Sequence, residues 1–223
     1  MIAAKRVVLA VAAMLACVGT HATHVDATVV DGKGQPLADA IVYFMPSRPL
    51  LPAVKQKHVI IDQVDKEFVP RVTVVQTGTP VDFPNHDNIR HQVYSFSPAK
   101  TFELKLYSGR PSAPVVFDRS GVAVLGCNIH DHMIAWVLSV DTPFFVRSDT
   151  EGRARLDDLP AGKYEMLVWH PGLAQPVSQG QVESHGAERS DRIERSIKVE
   201  TGALVGTASH EGHVHEHRDA TGS

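Results

Sequence analysis

Val124-Leu125-Gly126-Cys127-Asn128-Ile129-His130-Asp131-His132-Met133 runs directly into the apolar stretch Ile134–Val140. The apolar stretch reads as a β-strand. The segment before it spaces a thiol, an imidazole and a thioether three residues apart, as C-x-x-H-x-x-M. Upstream lies Asn85-His86-Asp87-Asn88-Ile89-Arg90-His91-Gln92-Val93, where His91 stands at the start of another strand and offers a second imidazole. A lone Cys or His is more often structural than a ligand. Four soft ligand groups on two short segments of a β-rich chain are much harder to dismiss in that way.

Two imidazoles and one thiolate in a trigonal plane, with a long weak thioether, form the ligand set of a mononuclear blue-copper site. His91, Cys127, His130 and Met133 are therefore the expected metal ligands, and one copper ion the expected cofactor. The thiolate donates strongly and gives an electron a covalent path, while imidazole serves both Cu(I) and Cu(II). The thioether stabilises Cu(II) little and so keeps the potential high. Zinc is the main alternative, although it prefers a tetrahedral set without a weak axial Met. A C-x4-H set through His132 is the other, with Met133 then following the ligand immediately.

The surrounding chain reads as all-β. Short runs rich in Val, Ile, Phe and Tyr alternate with polar residues and are broken by Gly, Pro, Asn and Asp. They include 27–30, 40–44, 59–61, 72–76, 92–96, 102–106, 115–117 and 134–140. No long stretch holds a 3.6-residue apolar period. A short helix within 53–64 is an alternative to the strand at Val59-Ile60-Ile61.

The ligand segments and the strands around them resemble the cupredoxin family, and the loop spacing is similar to that of amicyanin-like members. Asn85 to Val93 is similar to that family's N-x-x-x-x-x-H-N-V strand. Ile61 to Phe83 resembles its opening strands. The resemblance implies a Greek-key β-sandwich and gives Asn85 and Gln92 supporting roles behind the ligands. Where the family has Asn directly after the first His, this sequence has Gln92. Where it has Pro before the second His, this sequence has Ile129. The chain as a whole resembles exported cupredoxin-like proteins often called methylamine utilization proteins.

The flanks carry a second pattern. Asp31-Gly32-Lys33-Gly34-Gln35-Pro36-Leu37-Ala38-Asp39-Ala40-Ile41-Val42 is a strand, a tight turn and a second strand. Downstream stand Ser148-Asp149-Thr150-Glu151-Gly152-Arg153 and Leu159-Pro160-Ala161-Gly162-Lys163-Tyr164. Together these resemble the two halves of a carboxypeptidase-regulatory-like, or transthyretin-like, β-sandwich. The expected organisation is a discontinuous sandwich of 23–52 and 144–201, with a cupredoxin domain of 53–143 inserted in it or adjacent to it. Surface loops accept such insertions because closure entropy rises slowly with length. An isolated 53–143 segment is expected to fold better than 23–143.

The first 22 residues read as an export signal. Lys5 and Arg6 precede an apolar run from Val7 to Val18, and Thr20-His21-Ala22 offers a cleavage site. Cleavage there lowers Lys+Arg from 22 to 20 against 25 Asp+Glu, a net charge of about −5. The sequence contains two cysteines, and Cys17 leaves with the signal, so Cys127 would stand unpaired in an oxidising compartment. A lipoprotein cut at Cys17 is an alternative. No later segment is apolar enough to span a membrane. From residue 202 to 223 the chain is polar and reads as disordered; His210, His213, His215 and His217 there are candidate weak accessory metal ligands.

These features restrict function. The chain has a net charge of −3 and no broad basic surface, which argues against nucleic acid. Cys127 is flanked by Gly126 and Asn128, so the His-Cys-His wiring of multicopper oxidases is missing. One cysteine on the loop excludes a dinuclear purple centre. No nucleophile–base or phosphate-loop motif stands out. The expectation is a periplasmic one-electron carrier without catalytic turnover, whose partner is a redox protein. The alternative is a copper-binding module for delivery, sensing or protection that meets a copper-acceptor protein.

Overall fold

A computed structural model describes residues 23–48, 57–186 and 192–202. Residues 1–22, expected as an export signal and including Cys17, and His210, His213, His215 and His217 lie outside the described residues. The described chain is all-β. Its strands are β1 (Thr23–Asp31), β2 (Ile41–Pro46), β3 (Val59–Ile60), β4 (Asp62–Val64), β5 (Glu67–Val69), β6 (Val72–Gln76), β7 (Thr79–Asp82), β8 (His91–Ser97), β9 (Lys100–Tyr107), β10 (Val115–Phe117), β11 (Gly121–Gly126), β12 (Ile134–Val140), β13 (Phe145–Arg147), β14 (Arg153–Leu159), β15 (Gly162–Trp169), β16 (Val177–Ser184) and β17 (Arg192–Val199).

The sheets stack in four layers. The outermost sheet has the order β14-β1-β17 and packs on the sheet β13-β2-β15-β16. Val25, Ala27 and Val29 of β1 meet Val42, Phe44, Met166 and Val168 in the core between them. The strands before residue 48 and after residue 144 thus share one core. The third layer is the five-stranded sheet β6-β12-β11-β8-β9, and the fourth is β10-β7-β3 with the β4-β5 hairpin beside it. Ile61, Phe68, Phe83, Phe117, Leu125 and Val137 fill the core between these two.

The inner two sheets also pack on each other. Ile41, Tyr43 and Trp169 from one side meet Val72, Trp136, Leu138 and Val140 from the other. This explains why β2 and β12 are continuous apolar runs, whereas β1 alternates. Side chains of a strand point to opposite faces in turn. In β2, Val42 and Phe44 face one core while Ile41 and Tyr43 face the next. In β12, Ala135 and Val137 face the ligand side while Trp136, Leu138 and Val140 face the neighbouring module. The Arg71 guanidinium lies 5.1 Å from the Trp136 ring centroid, and Arg147 Nη1 donates to the Val72 carbonyl at 3.2 Å. Val72 belongs to the edge strand β6, so Arg147 covers part of an otherwise open edge.

The two Asp-x-x-Gly motifs build matching turns. Asp31 Oδ1 accepts the N–H groups of Lys33 and Gln35, each at 2.8 Å. Asp149 Oδ1 accepts those of Glu151 and Arg153 at 3.0 and 2.8 Å. Each turn puts its Gly in the left-handed region, Gly34 at φ 81° and Gly152 at φ 73°. The turns abut, since Val29 N–H donates to the Gly152 carbonyl at 2.7 Å. The first turn closes with the antiparallel bridge Val30↔Pro36, and the chain then leaves β1 to enter another sheet as β2, so the strand–turn–strand reading holds at the turn without the two strands forming one ladder.

Two outcomes follow from this packing. A Cβ on Gly152 would lie 2.3 Å from the Val29 carbonyl oxygen, whereas one on Gly34 would meet nothing within 4 Å. Gly152→Ala is therefore expected to cost about 2–4 kcal/mol through backbone strain plus contact, and Gly34→Ala about 1–2 kcal/mol through strain alone. The urea midpoints of the two variants check the order. The isolated 53–143 segment, expected from its sequence to fold better than 23–143, loses a packing partner. It bares Trp136, which is 1% exposed in the whole chain, together with Val72, Leu138 and Val140. A large aromatic removes about 150–250 Å² from water, worth roughly 4–6 kcal/mol gross. That fragment is expected to bind a hydrophobic dye or self-associate, as dye fluorescence and size-exclusion chromatography will show.

Candidate metal centre

β11 and β12 pair from Gly121↔Ser139 to Gly126↔Ile134 and leave residues 127–133 as the connection. That connection is two successive turns. His130 N–H approaches the Cys127 carbonyl at 3.4 Å, and Met133 N–H donates to the His130 carbonyl at 2.9 Å. Turns that bond i to i+3 bring side chains three apart onto one side. The C-x-x-H-x-x-M spacing therefore sends Cys127, His130 and Met133 the same way. Cys127 and Met133 both join the core beneath the loop, at 3% and 1% exposure. The strand ladder delivers the second imidazole. Gly126 pairs with Tyr94 on β8, and His91 opens that strand opposite Tyr107 of β9. The close β8–β11 approach needs glycine at 126, because a Cβ there would lie 2.7 Å from the Tyr94 ring.

His91, Cys127 and His130 each offer a ligand atom, and these atoms lie within 4.8 Å of one another. Cys127 Sγ is 3.9 Å from His91 Nδ1, and the two imidazole centroids are 5.0 Å apart at 64°. A first-row ion bonded at about 2.0 Å to nitrogen and about 2.3 Å to sulfur, at about 120°, holds such a sulfur–nitrogen pair about 3.7 Å apart. The His130 Nδ1 atom is buried and has no hydrogen-bond partner. An orphaned buried polar atom costs about 1–3 kcal/mol, and a metal at the centre of the cluster would give it a partner. The donor set fits a metal ion on both counts.

Charge and hydrogen bonding prepare the ligands. Burial holds His130 below the ordinary imidazole value, and its neighbours His91, Lys66 and His132 push the same way, against Asp87. His130 is thus neutral, as a ligand must be. His91 is fully buried, and its Nε2 lies 2.7 Å from Asp87 Oδ2. Partial burial pushes the Asp87 carboxyl up, but hydrogen bonds from His91, Lys66 and Asp65 outweigh it and leave it below its usual value. Tyr107 is pushed up to about 12, mainly by burial, and as a neutral phenol donates to the Phe83 carbonyl at 2.6 Å.

Asn85 pins the loop that carries Asp87. Its Nδ2 donates to the carbonyls of Ile89 and Tyr107 at 2.9 and 3.0 Å, and its Oδ1 accepts Asp87 N–H at 3.0 Å. Gln92 turns elsewhere: its Nε2 donates to Glu103 Oε1 of β9 at 2.6 Å. Its side chain therefore ties β8 to β9. His86 is an exposed loop residue, 2.6 Å from Asp62. His132 is exposed beside His130, with centroids 6.0 Å apart. Asp87 is the residue that the sequence pattern alone does not single out. It stands in a polar loop where spacing fixes no direction, and only its position four residues before His91 hints at contact.

No protein-family model matches the sequence, and no curated protein matches it. Solved structures do show similarity. A Cu-containing nitrite reductase from Thermus scotoductus SA-01 aligns at 20% identity and TM-score 0.37, over 51% of this chain and 28% of that one. The chain thus spans less than a third of that reductase. A purple cupredoxin from Nitrosopumilus maritimus aligns at 20% identity and TM-score 0.32, over 38% of this chain and 99% of that one. A reduced Cu(I) form of an amicyanin mutant aligns at 15% identity and TM-score 0.34, over 44% of this chain and 97% of that one.

The lowered His130 value has a direct consequence. An exposed imidazole is half protonated near pH 6.5. In the metal-free protein, His130 is expected to remain neutral as pH falls through that point and to take its proton only in more acid solution. Proton NMR titration of the His130 ring gives the midpoint, and a value at or above 6.5 contradicts the burial argument.

Proposed function

We propose that the protein is an exported, periplasmic type 1 copper protein of cupredoxin type that carries one electron at a time between redox proteins, without catalytic turnover. One observation carries the reading: a buried thiol and two imidazoles converge, and one imidazole nitrogen has no other partner. Bound there, copper supplies a one-electron couple between Cu(II) and Cu(I).

The chain's own residues supply the rest. Cys127 would give the thiolate, His91 and His130 the two imidazoles, and Met133, in the core beneath, a weak thioether donor. His91 at 0% and Cys127 at 3% exposure exclude water from the ligand sphere. Three supports hold the ligands before any metal arrives: the double turn at 127–133, the β11–β12 ladder and the Asp87 contact. A preset geometry acceptable to both oxidation states keeps reorganisation small. His130 is only half-buried, so its ring is the ligand nearest to solvent and to a partner.

The same burial weighs against a delivery role, since a donor of copper must let it go readily. Export agrees with an unpaired thiol protected by a metal, and among the described residues no helix is long and apolar enough to cross a membrane. Resemblance to methylamine utilization proteins makes amine oxidation a setting for the carrier. The accessory role for His210, His213, His215 and His217 belongs to this same reading.

One equivalent of copper is expected to give an intense visible thiolate-to-Cu(II) band and a fast, reversible voltammetric couple. Cys127→Ser removes the band, because a hydroxyl is a far poorer donor. A colourless Cu(II) form of the wild type overturns the proposal. Rapid loss of copper to a modest chelator, without a reversible couple, favours delivery instead.

A further inference from the structure

The Asp87 carboxylate gathers three donors on its two oxygens. Oδ2 faces His91 Nε2 at 2.7 Å and accepts Lys66 N–H at 2.9 Å, while Oδ1 accepts Asp65 N–H at 2.7 Å. The Asp87 side chain is only 12% exposed and that of His91 is fully buried. An ionised carboxylate can only accept, so the proton between the two groups belongs to His91 Nε2. In the neutral ring the lone pair is then on Nδ1, the atom 3.9 Å from Cys127 Sγ.

The two backbone donors come from an unusual turn. Asp65 and Lys66 join β4 to β5 with φ of 54° and 63°. Two-residue hairpins of type I′ need positive φ at both positions and normally use Asn-Gly or Asp-Gly there. Lysine has no side-chain bond that eases this conformation. What the turn gains is a pair of adjacent N–H groups aimed at one carboxylate. The strained turn and the buried imidazole are thereby joined through a single side chain.

The geometry assigns Asp87 as a positioning residue, anchored by the Asp65–Lys66 turn, that fixes the His91 tautomer and biases a bound copper ion toward its more highly charged state. The second half rests on the copper reading proposed above. A carboxylate behind a ligating imidazole strengthens that imidazole as a donor. Its negative charge, held close in a poorly solvated site, favours Cu(II) over Cu(I) by simple electrostatics. A purely structural pin would fix the ring without distinguishing the two oxidation states.

Nitrogen-15 NMR of the imidazoles in the metal-free full chain tests the first half. His91 is expected to carry its proton on Nε2 in the wild type, and Asp87→Ala is expected to redistribute it between the two nitrogens. A wild-type proton on Nδ1, or a tautomer unmoved in Asp87→Ala, overturns the tautomer role whatever becomes of copper. Asp87→Asn, nearly isosteric and uncharged, tests the second half through separate Cu(II) and Cu(I) competition titrations. Cu(II) affinity is expected to fall about 10–100-fold, with a clearly smaller fall for Cu(I). A tenfold loss confined to Cu(II) raises the reduction potential by about 59 mV. Asp87→Glu, which keeps the charge, should recover part of the shift. Equal losses in both oxidation states overturn the redox bias. A wild type that never yields the coloured Cu(II) form is a separate failure, that of the copper reading, and is seen without any variant.

Discussion

The β11–β12 ladder is the constraint on which both halves of the molecule depend. Its open end sets the length of the connection that carries Cys127, His130 and Met133. One face of β12 puts Ala135 and Val137 into the core under the ligands. The other face puts Trp136, Leu138 and Val140 against Ile41, Tyr43 and Trp169 of the neighbouring sheet. A one-residue slip of this pairing would exchange the two faces. It would drive Trp136 into the ligand core and leave the inter-module contact without its largest side chain. Site geometry and module packing are therefore specified by one register.

Rigidity at the cluster comes from layers of support rather than from the ligands alone. The double turn aligns Cys127, His130 and Met133, the Asn85 amide ties its loop to Ile89 and Tyr107, and Asp87 links that loop to the β4–β5 turn. The Asn85 amide satisfies two carbonyls and the Asp87 carboxylate two N–H groups, so each support also completes backbone hydrogen bonding. The loops around the cluster are thus ordered for an ordinary reason, and a ready-made metal geometry is the by-product.

Much of this was legible in the residues. Val72–Gln76, Val115–Phe117 and Ile134–Val140 are strands with the bounds that their apolar pattern suggests. The three-residue ligand spacing is readable because i to i+3 turns convert it directly into a shared direction. Other features were hidden. β16 and β17 are edge strands with mostly exposed polar side chains, so no apolar pattern marks them. Gln92 occupies a position that resembles a supporting one, yet its extra methylene and the nearby Glu103 send the amide to β9. Asp87 acts through a turn 21 residues away in sequence, and no local pattern encodes such a contact. The packing between modules did leave a trace: Ile41-Val42-Tyr43-Phe44 and Ile134–Val140 lack polar alternation, which is the mark of strands covered on both faces.

The parallel pairing of β1 with β17, from His24↔Arg192 to Asp31↔Val199, bears on how the molecule forms. The first strand finds its last neighbour only after every intervening segment has been made. Contacts so distant along the chain demand that closure entropy be spent before they give anything back, and proteins dominated by them reach the native state slowly. Until β17 arrives, β1 keeps a vacant edge and the outer sheet is incomplete. Slow completion of this kind leaves the open edge of β1 available in the meantime to a strand of another copy, which is the route to exchange of β17 between molecules.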